Sequence, residues 1–192
     1  MTKTQLPLAN RAKWTIEQYD RLIDLGAFSD RHFELIDGEI TEKMAQNEPH
    51  QNSILLMQYK LLEIFGRGFL VRVQLPMSLK DSKPEPDLCI VEGVPRGRIE
   101  IPSIALLTVE ISDTTLQSDR DVKGSLYARA LIPEYWIVNL GARQIEVRRD
   151  PREDETAPLG WTYGSLVTLG ANDQLAPLAR PDAPFLVGDV LP

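Results

Sequence analysis

Asp87, Glu110 and Lys123 are residues of types that could together hold a divalent cation and activate a water. Asp87 closes the run Pro84-Glu85-Pro86-Asp87, and Glu110 stands in Val109-Glu110-Ile111-Ser112. Two carboxylates at the ends of neighbouring apolar strands supply hard oxygen ligands, and two such ligands leave several Mg²⁺ positions open for water and substrate phosphate. A lysine on the following helix could orient the attacking water or offset charge on the pentavalent transition state, where pre-positioned charge lowers the barrier directly. The chemistry indicated is metal-assisted hydrolysis, with a phosphodiester as the expected substrate, by in-line attack of a metal-activated water. Each residue also has an ordinary reading. Glu110 could be solvated beyond a strand that stops at Val109, Asp after Pro is a common turn residue, and Lys123 could pair with Asp119 on an exposed helix. An ionised Glu inside an apolar strand is costly unless it is paired or bound to a cation, so the burial of Glu110 separates these readings.

The elements that must position these groups follow from local patterns. Thr15 and Gln18 form a capping-box pattern, and Ile16, Tyr19, Leu22 and Ile23 recur at helical spacing, which predicts a helix over 15–25. Asp37-Gly38 between two apolar runs predicts a type I′ hairpin over 33–41. A two-residue loop there puts Glu34 and Glu39 on the face of Ile36, from which they could reach the metal site. Pro49 suits a first helical turn, and Ile54, Met57, Leu61, Leu62 and Phe65 keep one face apolar, predicting a helix over 49–65. Strands are expected over 69–79 and 87–91. The nearly continuous apolar run 104–111 reads as a central strand covered on both faces. A helix capped by Ser118 and running to about Ala130 leads to a strand at 135–140, laid parallel to 104–111 by a right-handed crossover. The segments 144–149 and 161–169 read as a terminal hairpin joined by the acidic loop 150–160. Prolines at 177, 181, 184 and 192 predict an irregular strap over 177–192. Residues 1–12 are expected to be flexible, and 1–192 to form a single domain.

Composition narrows the function classes. The chain has 192 residues, 43% of them apolar and 26% charged, an ordinary soluble globular balance. No stretch approaches the roughly 20 apolar residues that span a bilayer, so the expectation is a cytoplasmic protein without membrane contact. The lone Cys89, set among Leu88, Ile90 and Val91, fits a reducing compartment. One cysteine and two histidines exclude a four-ligand His/Cys zinc site, so a metal would be held by oxygen. The net charge of −7, from 21 basic and 28 acidic residues, opposes nonspecific nucleic-acid affinity. A nucleic-acid binder would then need a local basic rim, for which Arg67, Arg72, Lys80 and Lys83, or Arg96 and Arg98, or Arg143, Arg148 and Arg149 are the candidates.

In combination, Pro86-Asp87, Glu110-Ile111-Ser112, the face of Asp119, Lys123 and Tyr127, and Pro133-Glu134-Tyr135-Trp136-Ile137-Val138 resemble the Uma family of proposed restriction endonucleases, within the PD-(D/E)xK nuclease superfamily. The hairpin Glu34-Leu35-Ile36-Asp37-Gly38-Glu39 and His50 add to the resemblance, which spans about Thr15 to Val147. It implies a restriction-endonuclease-like α/β fold: a mixed central sheet flanked by helices, with an N-terminal β-hairpin. It also implies an endonuclease dependent on Mg²⁺ or Mn²⁺, with DNA as substrate. Asp87 and Glu110 would ligate the metal, the Ile111 carbonyl would add a ligand, Lys123 would polarise the water, and Glu34 or His50 would assist. The superfamily's lysine ordinarily lies two residues after the second acid, where this chain has Ser112, so Lys123 must substitute from the helix. Two other readings stay open: a nuclease fold kept as a DNA-binding or protein-interaction module, and a hydrolase of something smaller, since carboxylate sites do not identify a substrate. A homodimer also stays open. Convergence of Asp87, Glu110 and Lys123 in one cleft would favour an enzyme, and dispersal a binding module.

Overall fold

The computed structural model describes residues 12–28, 31–44, 46–94 and 100–192. The expectation for 1–12 therefore falls, up to residue 11, outside the described residues, as do Arg96 and Arg98. Helix α1 (Ile16–Asp24) carries the complete capping box, with the Thr15 side chain accepting from Gln18 N–H and the Gln18 side chain accepting from Thr15 N–H. Hairpin β1 (Phe33–Ile36) and β2 (Glu39–Glu42) turns through Asp37 and Gly38 at φ 48° and 75°, the left-handed pair that a type I′ turn demands. The hairpin docks on the segment before the second sheet strand, where Lys83 N–H donates to Leu35 O at 2.7 Å and Gly38 N–H to Asp81 O at 3.1 Å.

A six-stranded mixed sheet organises the rest in the order β3-β4-β5-β6-β7-β8. Its strands are β3 (Phe69–Val73), β4 (Leu88–Glu92), β5 (Leu107–Ser112), β6 (Glu134–Asn139), β7 (Gln144–Glu153) and β8 (Trp161–Gly170). Only β5 and β6 pair in parallel, and between them the chain makes the helical crossover that a parallel pair requires. On one side of the sheet, helix α2 (Glu48–Phe65) sets Ile54, Met57, Leu61 and Phe65 against Leu88, Ile90, Leu107, Val109 and Ile111. On the other side, Leu126, Tyr127 and Ala128 pack with Cys89, Tyr135 and Ile137. Every residue of β5 is buried, as a strand covered on both faces requires.

Three local expectations are corrected. The strand expected over 69–79 stops at Val73, after which Gln74 takes a left-handed φ of 49°; Met77 and Leu79 beyond it are still buried. The central strand begins at Leu107 rather than 104, leaving Ile104 75% exposed. Ser118 does not cap the crossover helix, which starts earlier as α3 (Leu116–Ser118), widens into a π-helical turn at Asp119–Lys123 and continues as α4 (Gly124–Arg129).

The C-terminal strap, expected to be irregular, carries a short strand β10 (Phe185–Leu186) paired with β9 (Gln174–Leu175) just before the strap, and buries Val187, Val190 and Leu191 against the α2 side. Its anchor is Glu134, wholly buried at the start of β6. Glu134 Oε1 accepts from Trp136 Nε1 at 2.9 Å and Arg149 Nε at 2.8 Å, and Oε2 accepts from Leu178 N–H at 2.7 Å. Removing one member of a buried charge network leaves the others unpaired, so Glu134→Leu should cost about 3 kcal/mol in urea denaturation.

Candidate functional site

Asp87 and Glu110 are brought together by strand register. Leu88 faces Val109 and Cys89 faces Thr108 across β4 and β5, so one step further out Asp87 lies beside Glu110. Side chains alternate along a strand, so Glu110, between the α2-facing Val109 and Ile111, points to the opposite side, toward α4. It sits inside β5 rather than at its end and is 3% exposed, which rules out the solvated reading. Asp87 Oδ2 accepts the backbone N–H of Ile111 at 2.8 Å, which ties the first acid to the residue after the second.

Lys123 completes the group, and its partner is not Asp119 on an exposed surface. Lys123 Nζ lies 2.9 Å from Glu110 Oε1 and 3.2 Å from Glu34 Oε2. Tyr127 OH donates to the same Glu110 oxygen at 2.7 Å. The π turn that presents Lys123 is held on several sides. Asp119 Oδ2 accepts from Ser112 Oγ at 2.9 Å and Thr115 Oγ1 at 2.6 Å, and Asp119 O accepts from Tyr135 OH at 3.0 Å. Arg148 Nη1 donates to Arg120 O at 2.8 Å, and Arg120 Nε donates to Glu146 Oε1 at 2.8 Å. Gly124 lies in the crook of this clamp, where a Cβ would come 3.1 Å from Arg148 Nη1.

Burial works against the charge on Glu146, but Arg120 and Arg148 outweigh it and hold its carboxyl below the usual range. A depressed carboxylate contributes stability that is present above its unfolded value and lost as pH falls through the folded one. Glu146→Gln should therefore flatten the acid side of the stability–pH curve, measured by thermal melts in steps from neutral pH downward.

Glu34 and His50 reach the same cleft from separate elements. Glu34 is 4% exposed in β1, and its Oε1 accepts Glu85 N–H at 2.8 Å. Glu39 shares its face across the hairpin, yet it is exposed and does not line the cleft. His50 stands in the first turn of α2, with its N–H bonded to the Asn47 cap at 3.1 Å. The other end of the Asn47 side chain donates to Asp113 at 2.6 Å, tying the helix start to the loop after β5. His50 Nε2 lies 3.2 Å from Asp87 Oδ2, at ion-pair distance but not aligned as a hydrogen bond.

These groups line a cleft of about 380 Å³ into which Asp87, Glu110, Ile111, Glu34, His50 and Lys123 all contribute. The electrostatics are uneven. Burial pushes Glu110 up to about 8, reinforced by Asp87, Asp119 and Glu34, with Lys123 pulling the other way. Burial also opposes the charge of Lys123, but Glu110, Glu34 and Asp119 outweigh it and hold the ammonium above its ordinary range. Asp87 is buried too, yet His50 and the Ile111 N–H hold its carboxyl below the usual range.

The donor set fits a hard cation. Both donors to Glu110 bind Oε1, leaving Oε2 without a hydrogen bond among the described residues, and Asp87 Oδ1 has only Gln74 Nε2, at a distant 3.5 Å. No group of three or more His, Cys, Asp or Glu placed to hold a metal occurs among the described residues. A cation here would rest on two carboxylates, completed by main-chain, water or substrate oxygens, which is the manner of Mg²⁺ rather than of zinc.

Residue patterns assigned no role to three neighbours. Tyr127 carried a signal, being four residues after Lys123. Lys43 and Gln74 carried none, since each reaches the site through chain-distant contacts: Lys43 Nζ donates to Glu85 O at 2.7 Å and lies 3.7 Å from Glu34. Among the described residues the expected basic rim is largely absent. Arg72 bonds Pro76 O, Lys83 pairs with Asp20, Arg143 bonds Pro192 O, Arg148 binds Glu146 and Arg149 binds Glu134, while Arg67 and Lys80 are exposed.

Comparison with known proteins agrees with this architecture. A family model described as "Uma2: Putative restriction endonuclease" matches residues 16–177. A crystal structure from Anabaena variabilis ATCC 29413, described as a putative nuclease belonging to DUF820, superposes with a TM-score of 0.66 at 15% identity, covering 92% of this chain and 96% of that one. The likeness shows a shared fold. No curated protein matches the chain.

Proposed function

The chain belongs to the Uma2 family, and on that premise we propose that it is a Mg²⁺- or Mn²⁺-dependent endonuclease of PD-(D/E)xK type that hydrolyses phosphodiester bonds in DNA. The observation that carries this reading is the convergence of Asp87, Glu110 and Lys123 in one cleft. Asp87 and Glu110 would hold the cation, with the Ile111 carbonyl as a further oxygen ligand. When bound, such a cation supplies Lewis acidity: it offsets phosphate charge and lowers the pKa of water. Lys123 sets a compact positive charge beside the carboxylates, where it orients a water and offsets charge developing on the phosphate. Tyr127 fixes the Glu110 carboxylate by its hydrogen bond, and Glu34 fixes the Lys123 ammonium from the other side. His50, close to Asp87, is placed to assist by holding or passing a proton.

A second reading, the fold kept for binding without turnover, draws support from the internal pairing of most candidate rim cations. The deciding experiment is a cleavage assay on supercoiled and single-stranded DNA with Mg²⁺, with Mn²⁺ and with EDTA. Cleavage that needs the cation and disappears in Asp87→Asn supports the nuclease. Its absence with both metals on both substrates overturns it.

A further inference from the structure

The catalytic cleft has a neighbour. A second cavity of about 480 Å³ shares Glu42, Lys43, Met44 and Gln46 with it and falls within the roughly 300–1,000 Å³ typical of small-ligand sites. Three carboxamides from three parts of the chain meet in its wall: Gln46 before α2, Gln51 on the first turn of α2, and Gln74 after β3. The side chains of Gln46 and Gln51 make no hydrogen bond with any described residue, and that of Gln74 makes only the long approach to Asp87. A carboxamide donates and accepts in one plane without carrying charge, the pattern that matches the edge of a nucleobase.

Gln74 also links the two cavities. Its left-handed backbone, unusual for a residue other than glycine, is held by its N–H donating to Asp87 O at 3.1 Å. Conformations of this kind persist where the surroundings fix them, and they cluster at ligand sites. Lys43 stands between the cavities with its ammonium anchored on Glu85 O. Because the chain carries a net charge of −7, general attraction to phosphates contributes little, and contacts with the bases would add selectivity to the local phosphate contacts of Lys43 and Lys123.

We propose that the second cavity is a base-reading subsite for the nucleobase next to the phosphodiester held in the first cleft. Gln46, Gln51 and Gln74 read the base edge, and Lys43 meets the phosphate that joins the two nucleotides. The assignment rests on the nuclease reading of the first cleft, and its test separates the two. Wild-type protein with Mg²⁺ or Mn²⁺ is given a pool of randomised oligonucleotides, and the cleaved ends are sequenced. One base should be favoured at a fixed position beside the cut by at least roughly fivefold, the low end of what one well-made base contact discriminates. Gln51→Ala and Gln46→Ala should each reduce that bias, read as the ratio of favoured to disfavoured ends within one digest. A bias that is absent in the wild type, or unaltered in both variants, overturns the subsite. If nothing is cleaved, the same pool is selected for binding to wild-type protein in EDTA. Enrichment of one base that Gln51→Ala abolishes then supports the subsite although the nuclease reading has failed, and no enrichment removes the subsite as well.

Discussion

Lys123→Met should lower the single-turnover cleavage rate by at least roughly a hundredfold at saturating Mg²⁺ while leaving metal affinity largely unchanged, the scale of losing one oriented electrostatic group. The lysine lies against Glu110 and Glu34, so its removal leaves two buried acids facing each other without their cationic partner. A stability loss on the order of 3 kcal/mol should accompany the loss of rate. An exposed pair with Asp119 would have given only a few tenths of a kcal/mol. Lys123→Arg should restore stability better than rate, because a planar guanidinium can pair with both carboxylates but cannot occupy the compact position of an ammonium. Rates and urea midpoints of the two variants, measured side by side, check both parts. A near-normal rate in Lys123→Met would remove Lys123 from the mechanism.

The two acids should separate in a different way. Asp87→Asn and Glu110→Gln should each abolish cation-dependent cleavage, since each removes one of two carboxylates that would hold the metal. Repulsion between like charges suggests that both substitutions leave stability equal or higher, but the local surroundings divide them. Burial pushes Glu110 up to about 8, so its charge is disfavoured in the metal-free fold, and Glu110→Gln should keep or raise the melting temperature. Asp87 is held below the usual carboxylate range by His50 and the Ile111 N–H despite its burial, so its charge is favoured, and Asp87→Asn should lower the melting temperature. The pH dependence carries the same signs. The Asp87 contribution is lost as pH falls through its folded value, whereas that of Glu110 is lost as pH rises from the ordinary carboxylate range toward about 8. Thermal melts in EDTA at neutral pH decide the matter, and equal shifts of the same sign would show that the two environments do not differ in this way.

What could be read in the sequence was what short-range chemistry encodes. The α1 capping box and the Asp37-Gly38 turn depend on neighbours a few residues apart and appear where expected, and the nearly continuous apolar run 104–111 marks β5, although the strand itself starts only at Leu107. Glu110 was legible because an acid interrupting an apolar strand is conspicuous on energetic grounds alone, whereas Asp87, an ordinary turn residue by itself, gained meaning only in combination with it. Other features hid in long-range contacts. Glu34 meets Lys123 across 89 positions, and no local pattern distinguishes it from Glu39 on the same hairpin face. The left-handed backbone of Gln74 is fixed by Asp87 O, so the residue itself gives no warning that β3 stops there. The spacing of four between Asp119, Lys123 and Tyr127 looks the same whether or not the turn between the first two is widened.

That widening makes helix phase a control on the site. An α-helix advances about 100° per residue, so removing one residue at the exposed Asp121 would close the π turn to ordinary pitch and put its two ends about that far out of step. Either Asp119 would leave Ser112 and Thr115, or Lys123 and Tyr127 would leave Glu110. The sheet and both acids would keep their places, although in the second case Leu126 and Ala128 would also turn out of the layer they form with Cys89, Tyr135 and Ile137. A lineage could thus silence or recover the ammonium by a single codon gained or lost in a solvent-facing turn, without rebuilding the carboxylate pair.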